Sequence, residues 1–174
     1  FGEGLYRASG LGIDSRGDVL VQGDSALPGL DHYGVARLSG SSGEILWTNT
    51  ATARGTYPLF FGWTELPQDY SNQVAADPQG QIIGRGRWLH DYNSIHLLVQ
   101  KLSALDGKAI WRTLIGRRDS YIAASDLAVD SSGNVFICAL ATNPNTNTDQ
   151  VLLKILGSTG EQVWRRDIDG GINA

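Results

Sequence analysis

The side chains of this sequence that can do chemistry are concentrated in one short stretch. They are Arg87, Trp88, His90, Asp91 and Tyr92. Aromatic rings together with an imidazole and a carboxylate can bind a sugar or coordinate a metal ion. The three histidines of the chain, however, show neither the H-x-x-x-H nor the H-E-x-x-H spacing of a zinc site. We therefore interpret the stretch as polar side chains at a loop tip, with sugar binding or a metal site as the alternative.

A second polar stretch, NPNTNTD at 143–149, offers side-chain oxygens of the kind that calcium prefers, but it lacks the ligand frame of an EF-hand loop. The chain also contains no G-x-S-x-G nucleophile elbow, no phosphate-binding G-x-x-x-x-G-K-[ST] and no helix-opening G-x-G-x-x-G. The sequence therefore predicts no catalytic residues and no metal ligands, with calcium as the alternative.

The composition is typical of a globular protein rich in tight turns. Of the 174 residues, 41% are hydrophobic and 18% are charged, which favours a packed core over disorder. The 22 glycines fit many turns between short strands. The net charge is −4, and no apolar run approaches the ~18 residues of a membrane helix. We expect neither nucleic-acid binding nor membrane insertion.

Two features of the sequence bear on its cellular context. Cys138 is the single cysteine and lies in the apolar run VFICAL, so we predict a buried core thiol and no disulfide within the chain. The chain begins at Phe1 without a signal-peptide pattern and contains no methionine. We interpret it as a processed or fragmentary product whose targeting information has been removed.

The strongest pattern in the sequence is an internal repeat of three copies. One motif, Asp-x-x-Gly followed after one further residue by an apolar pair, occurs in LGIDSRGDVLV, VAADPQGQIIG and LAVDSSGNVFI. Its residues are Asp14, Gly17, Asp77, Gly80, Asp130 and Gly133. The aspartate can accept a hydrogen bond from the backbone two residues on, and the glycine can adopt a positive φ. Each copy therefore predicts a tight hairpin turn.

A second motif follows the first at a fixed distance. It is a glycine with a tryptophan four residues later, formed by Gly43, Trp47, Gly107, Trp111, Gly160 and Trp164. The separations from aspartate to tryptophan are 33, 34 and 34 residues. A basic residue, Arg37, Lys101 or Lys154, stands six residues before each of these glycines. We interpret the basic residues as strand positions with solvated or backbone-bound tips.

Each copy of the repeat reads as two hairpins, and therefore as four short antiparallel strands. A sheet of this size cannot bury both of its faces alone, so it must stack on its neighbours, and a tryptophan is large enough to fill the gap between sheets. The sequence predicts an all-β chain of three four-stranded β-propeller blades with the three motif tryptophans buried between them. The boundaries are 1–53 for blade 1, 54–115 for blade 2 and 116–174 for blade 3.

Blade 2 carries an aromatic insertion at 54–72. The distance from Trp47 to Asp77 is 30 residues, whereas only 19 separate Trp111 from Asp130. Aromatic residues this dense in an inserted loop form either a lid packed on the propeller or a contact surface for a partner. The candidate partner-contact residues are Tyr57, Phe60, Phe61, Trp63, Trp88, His90 and Tyr92.

The repeat resembles known propeller families. VDSSGNVFI together with LLKILGSTGEQVW resembles the bacterial SBBP β-propeller repeat, and KLSALDGKAIW is similar to the tryptophan-docking motif of quinoprotein-type, PQQ-like propellers. The first resemblance implies an exported module in the periplasm, at the cell surface or in the extracellular space. The second implies a pyrroloquinoline quinone (PQQ) cofactor at the centre of a larger propeller. The adjacent cysteine pair of some quinoproteins is absent, since the chain has one cysteine.

These observations lead to three hypotheses about function. The first is a non-enzymatic, exported propeller module that acts as a protein-binding or assembly scaffold and has no cofactor. Its partners are other protein chains or further blades of the same polypeptide, because the outer faces of blades 1 and 3 need a cover, and we expect no free monomer. A symmetric pair of copies that makes a six-bladed ring is the alternative cover. The alternatives are a fragment of a PQQ-type quinoprotein dehydrogenase and a sugar-binding propeller.

Overall fold

The computed structural model of the protein describes six segments of the chain. They are 5–27, 30–52, 73–91, 94–116, 121–143 and 146–168. The described residues form β-strands and turns, without a helix. Consequently, none of the described residues belongs to a helix with the length and apolar character of a membrane span.

Blade 1 is a four-stranded antiparallel sheet whose strands follow one another in chain order. The strands are β1 (Leu5–Ile13), β2 (Val19–Leu27), β3 (Leu30–Leu38) and β4 (Ile45–Thr52). The side chains of a strand alternate between the two faces of the sheet. The register pairs Val21 of β2 with Leu11 on one side and with Ala36 on the other.

Blades 2 and 3 repeat this arrangement. Blade 2 contains β5 (Val74–Ala76), β6 (Ile82–Asp91), β7 (Ser94–Leu102) and β8 (Ala109–Ile115). Blade 3 contains β9 (Tyr121–Val129), β10 (Val135–Asn143), β11 (Thr146–Ile155) and β12 (Gln162–Ile168). Neighbouring strands within each blade are antiparallel. The prediction of an all-β chain with three four-stranded blades is confirmed.

The connections between the second and third strands are shorter than the sequence suggests. From the sequence, we expect loops between the second and third strands at GDSALPGLDHY, GRWLHDYNSIH and ATNPNTNTD. In each case, however, only two residues separate the two strands, as between Asp91 and Ser94. This prediction is wrong because pairing between strands satisfies the backbone N–H and C=O groups whatever the polarity of the side chains.

The blades lie side by side with their first strands adjacent: β1 contacts β5, and β5 contacts β9. One parallel bridge, between Ile95 and Tyr121, also joins blade 2 to blade 3. Two apolar clusters fill the two junctions. Leu20, Val35, Trp47, Val74, Ile82, Leu98 and Leu102 lie between blades 1 and 2. Ile83, Leu97, Val99, Trp111, Ile137, Leu153 and Ile155 are among those between blades 2 and 3. The cores thus lie between blades.

The single cysteine is not a core residue. Cys138 on β10 is only partly buried, so the prediction of a buried core thiol is wrong. Its neighbours Ile137 and Ala139 point into the junction with blade 2 and are buried. Because side chains alternate along a strand, Cys138 lies on the opposite face, together with the exposed Leu140. That face points away from blade 2.

Candidate blade-docking interface

The motif aspartates organise the turns between the first two strands of each blade. Asp14 Oδ1 accepts hydrogen bonds from the backbone N–H groups of Arg16 and Asp18, at 2.8 and 3.0 Å. Asp77 and Asp130 accept the equivalent pairs of bonds. Gly17, Gly80 and Gly133 have φ values of 82°, 79° and 81° in these turns. That backbone conformation is open to glycine and costly for other residues.

Two of these aspartates, Asp14 and Asp77, also form buried ion pairs, which the sequence interpretation missed. Arg37 Nη2 lies 2.7 Å from Asp14 Oδ2 and 2.8 Å from Asp18 Oδ2. Lys101 Nζ lies 2.7 Å from Asp77 Oδ2 in blade 2. Arg37 and Lys101 are both buried, so for them the solvated alternative is wrong, whereas the backbone-bound alternative is confirmed by their hydrogen bonds to backbone carbonyls. The cause is tertiary, since the next blade covers this face of the sheet.

Each buried cation also reaches into the following blade. Arg37 Nη1 donates a hydrogen bond to the backbone carbonyl of Ala104, and Trp47 Nε1 donates to the same oxygen at 3.0 Å. One junction further on, Lys101 Nζ and Trp111 Nε1 donate to the carbonyl of Gly157, at 3.1 and 3.0 Å. A single carbonyl therefore accepts both the basic residue and the tryptophan of the preceding blade.

The motif glycines receive the tryptophan rings. A Cβ atom added to Gly107 would stand 2.6 Å from the indole of Trp47, and one added to Gly160 would stand 2.7 Å from that of Trp111. These glycines also have φ values of 68° and 78°. Glycine is therefore required at both positions for two reasons: the positive φ of the turn and the close approach of the indole ring. Trp47 and Trp111 therefore each dock on the motif glycine of the following blade.

A third contact at each junction comes from the residue two positions after the tryptophan. Asn49 Nδ2 donates a hydrogen bond to the carbonyl of Gly107 at 2.8 Å. Thr113 Oγ1 donates to the carbonyl of Gly160. The same arrangement therefore occurs at both blade junctions. A basic residue, a tryptophan and a short polar side chain donate hydrogen bonds to two carbonyls of one turn in the next blade.

The second strands add a polar link that sequence reasoning also missed. Gln22 Nε2 donates to the backbone carbonyl of Arg85 at 2.6 Å, and the backbone N–H of Arg85 donates to Gln22 Oε1 at 3.2 Å. Arg85 Nη1 in turn donates to the carbonyl of Ala124 in blade 3 at 2.6 Å. Both side chains are buried. The available signal was a glutamine within the apolar strand VLVQG, because a buried amide must find partners.

Blade 3 presents the same docking residues without a turn against them in the described structure. Trp164 is only partly buried, so the prediction that all three motif tryptophans are buried between blades is wrong for it. Its ring packs edge-on against Phe136, with centroids 6.1 Å apart. Lys154 Nζ lies 5.2 Å from the centroid of the same Phe136 ring, a cation–π contact.

Two exposed turns carry aspartates with shifted titration. The hydrogen bond from the Asn134 side chain, 2.9 Å long, is the largest of the effects that lower the pKa of Asp130. Hydrogen bonds from Lys108 and Ser103 lower the pKa of Asp106 to about 2. The hydrogen bond with Asp106 in turn raises the pKa of Lys108. Both aspartates serve turns, so these shifts have structural causes.

The candidate binding residues are only partly covered by the described structure. Trp88 and His90 lie on β6, where only their backbone is described. Tyr57, Phe60, Phe61, Trp63 and Tyr92 lie outside the described residues, as does the whole insertion 54–72. Among the described residues, no group of three or more His, Cys, Asp and Glu side chains could hold a metal ion. The calcium alternative at 143–149 stays a prediction.

Comparison with known proteins finds a family match for one segment of the chain. The model of the SBBP beta-propeller repeat matches residues 110–144. The match begins in β8, crosses β9 and ends just after β10, so it includes Trp111 and Asp130. No curated protein matches the chain. The described residues therefore form three β-propeller blades, and residues 110–144 are similar to the SBBP beta-propeller repeat.

Proposed function

We propose that the chain is a non-enzymatic β-propeller module that is exported from a bacterial cell and acts as a protein-binding or assembly scaffold. One observation carries the proposal. Leu152 of blade 3 occupies the repeat position of Val35 and Val99; it is 37% exposed, whereas both valines are 0% exposed. Positions that are core at the inner junctions are thus surface at the outer face. An apolar surface of this kind marks an interaction site on a soluble protein.

A structural role accounts for the acidic, basic and aromatic residues of the repeat. Asp14 and Arg37 pair with each other and hold a turn and the next blade, as Asp77 and Lys101 do. The tryptophan docking that resembles a quinoprotein feature joins one blade to the next. This account needs no cofactor, which favours a scaffold over a quinoprotein fragment. It also favours protein binding over sugar binding, because large apolar side chains such as Leu11, Leu140 and Leu152 are exposed on the outer faces.

The proposed export rests on the resemblance to the bacterial SBBP repeat. Immunodetection of the protein in fractions of its own cells tests it. We expect the protein in the periplasmic, surface or culture-medium fraction, and a signal confined to the cytoplasmic fraction would contradict export.

Site-specific photo-crosslinking tests the scaffold role. A photoreactive residue would replace Leu152 or Leu11, which lie on the outer faces of blades 3 and 1, and the control would replace Leu105. Leu105 is 89% exposed, but it lies in a turn of the middle blade. We expect the two face positions to crosslink to protein and Leu105 to crosslink far less. Equal yields at all three positions, or none at the faces, would refute the proposal.

A further inference from the structure

The two outer faces of the three-blade unit are equivalent to the two sides of an inner junction. On blade 1, Leu11 is 72% exposed, whereas Val74, at the same repeat position in blade 2, is 6% exposed. On blade 3, Leu152 is exposed where Val99 is buried. Blade 1 therefore shows the side of a blade that receives its predecessor, and blade 3 shows the side that docks on its successor.

Blade 1 contains a preformed receiving turn, Ser39–Glu44, which we call the socket turn. Its backbone bonds, from Ser39 N–H to the Glu44 carbonyl and from Gly43 N–H to the Ser39 carbonyl, are both 2.8 Å long. The turn at 103–108 has the same pair of bonds, at 2.8 and 2.9 Å. Gly43 has a φ of 72°, close to the 68° of Gly107. The socket turn thus has the backbone shape that receives a tryptophan elsewhere in the chain.

The space above the socket turn is open. At Gly107 and Gly160 an added Cβ would collide with the indole of the preceding blade, whereas at Gly43 nothing among the described residues lies within 4 Å of it. The carbonyls of Gly40 and Gly43 occupy the repeat positions of the two acceptor carbonyls at each inner junction. The socket turn can therefore accept the same three donors.

Blade 3 carries those donors, which we call the docking edge: Lys154, Trp164 and Arg166. In the described part of the chain, Lys154 Nζ and Trp164 Nε1 have no hydrogen-bond partner, whereas Lys101 and Trp111 both donate to Gly157. Arg166 stands two positions after the tryptophan, as Asn49 and Thr113 do, and it is exposed. The docking edge has two cations and the socket turn ends in Glu44, so their charges are complementary.

We propose that the docking edge of one copy of this chain binds the socket turn of a second copy. Trp164 covers the second copy's Gly43, Trp164 and Lys154 donate to the carbonyl of its Gly40, and Arg166 donates to the carbonyl of its Gly43. The described residues of each copy provide one docking edge and one socket turn, so two copies form two such contacts and their described blades close a ring of six. Six lies within the four to eight blades that propellers typically have. A head-to-tail contact that did not close would give filaments instead.

The inference rests on the proposed scaffold function, because it names what covers the outer faces. Its test is the mass of the full-length chain in solution over a range of concentrations, measured by sedimentation and native mass spectrometry. We expect a pair of twice 18.7 kDa. Trp164→Ala removes the docking ring and should weaken pairing by about 30-fold or more.

A variant of the socket turn gives the matched experiment. Gly43→Asn places a side chain where the indole would lie, and asparagine tolerates a positive φ better than most residues. Gly17→Asn is the control, because Gly17 also has a positive φ, of 82°, and open space around it, but lies in a different turn. We expect Gly43→Asn to dissociate the pair and Gly17→Asn to leave it intact.

Mixing the two interface variants separates a lost contact from a damaged fold. Trp164→Ala retains a working socket turn and Gly43→Asn retains a working docking edge, so a mixed pair keeps one complete contact. We expect each variant alone to be monomeric and the mixture to form pairs. A monomeric wild-type chain, an unaffected Trp164→Ala pair or a mixture that stays monomeric would overturn the inference. Crosslinking of Leu152 to a different protein would overturn it while leaving the scaffold function intact.

Discussion

Trp111 donates its indole N–H to the carbonyl of Gly157 at 3.0 Å, across 46 residues of chain and from one blade to the next. The same relationship joins Trp47 to Ala104 across 57 residues. These bonds and the packing around them lie between sheets. The motif tryptophans therefore join one blade to the next. We expect a tryptophan to contribute more to the stability of the fold where it packs against a following blade than where it does not.

Truncation of two equivalent tryptophans should have unequal effects. Trp111→Ala removes a ring that is 9% exposed and should lower the free energy of unfolding by roughly 3–5 kcal/mol. Trp164→Ala removes a ring that is partly exposed on the outer face of blade 3, so its cost in the monomer should be clearly smaller. Urea unfolding of the two variants, under identical conditions and at a concentration where the chain is monomeric, checks this. Equal losses would contradict the docking account.

The buried ion pair of blade 2 provides a second prediction. Asp77→Asn keeps a side-chain oxygen for the turn but removes the charge that faces Lys101, which should destabilise the protein by about 3–5 kcal/mol. Replacing both partners, with Lys101→Met added, should recover part of this loss, because no unpaired charge then remains buried. A double-mutant cycle from urea unfolding measures the recovery. Strictly additive losses would show that the two side chains do not interact.

The titration of Asp130 provides a prediction about pH. Its pKa in the folded protein lies below the usual 3.8, mainly because the Asn134 side chain bonds the carboxylate. The folded state therefore favours the charged form. The resulting stabilisation is fully present above pH 3.8 and is lost as the pH falls through the folded pKa. NMR titration of the Asp130 carboxyl carbon should give a midpoint below 3.8.

The matched variant for this titration is Asn134→Ala. Without the amide donor, the midpoint of Asp130 should move back toward 3.8. Melting curves recorded between about pH 5 and about pH 1 should show a weaker loss of stability on acidification in Asp130→Asn than in the parent chain. A midpoint in the variant that equals that of the parent chain would assign the shift to another cause.

The proposed lack of catalysis is tested by loading the full chain with PQQ and calcium. We expect no reduction of an electron-accepting dye with alcohol or sugar substrates, because a scaffold account explains the tryptophan docking without a quinone. A dye-linked rate above that of free PQQ with calcium would promote the quinoprotein alternative. Fluorescence of the tryptophans during the same titration reports whether the quinone binds at all.

The local features of the fold could be predicted from the sequence. Gly17 and Gly133 adopt a positive φ, and Asp14 and Asp130 bond the backbone two residues on, because these preferences are set within four neighbouring residues. The three-fold repetition of such turns at equal spacing then implies stacked sheets, since one small sheet cannot bury both faces. The number of blades therefore followed from the sequence as well.

Long-range neighbours decided the rest. The sequence placed Arg37 on a strand with a solvated or backbone-bound tip, but its burial depends on Asp14 and Ala104, which lie 23 and 67 residues away along the chain. The partners of Gln22 in blade 2 have no local signature for the same reason.

The sequence by itself determined the turns, the repeat and the three blades, because glycine conformations and strand patterns are properties of short segments. Only the tertiary structure decided which copies of each motif are buried. Trp111 and Trp164 stand in nearly identical motifs, yet Trp111 is buried against the next blade and Trp164 is only partly buried. The burial of a motif residue depends on which blade packs over it, and the local sequence around that residue does not determine this.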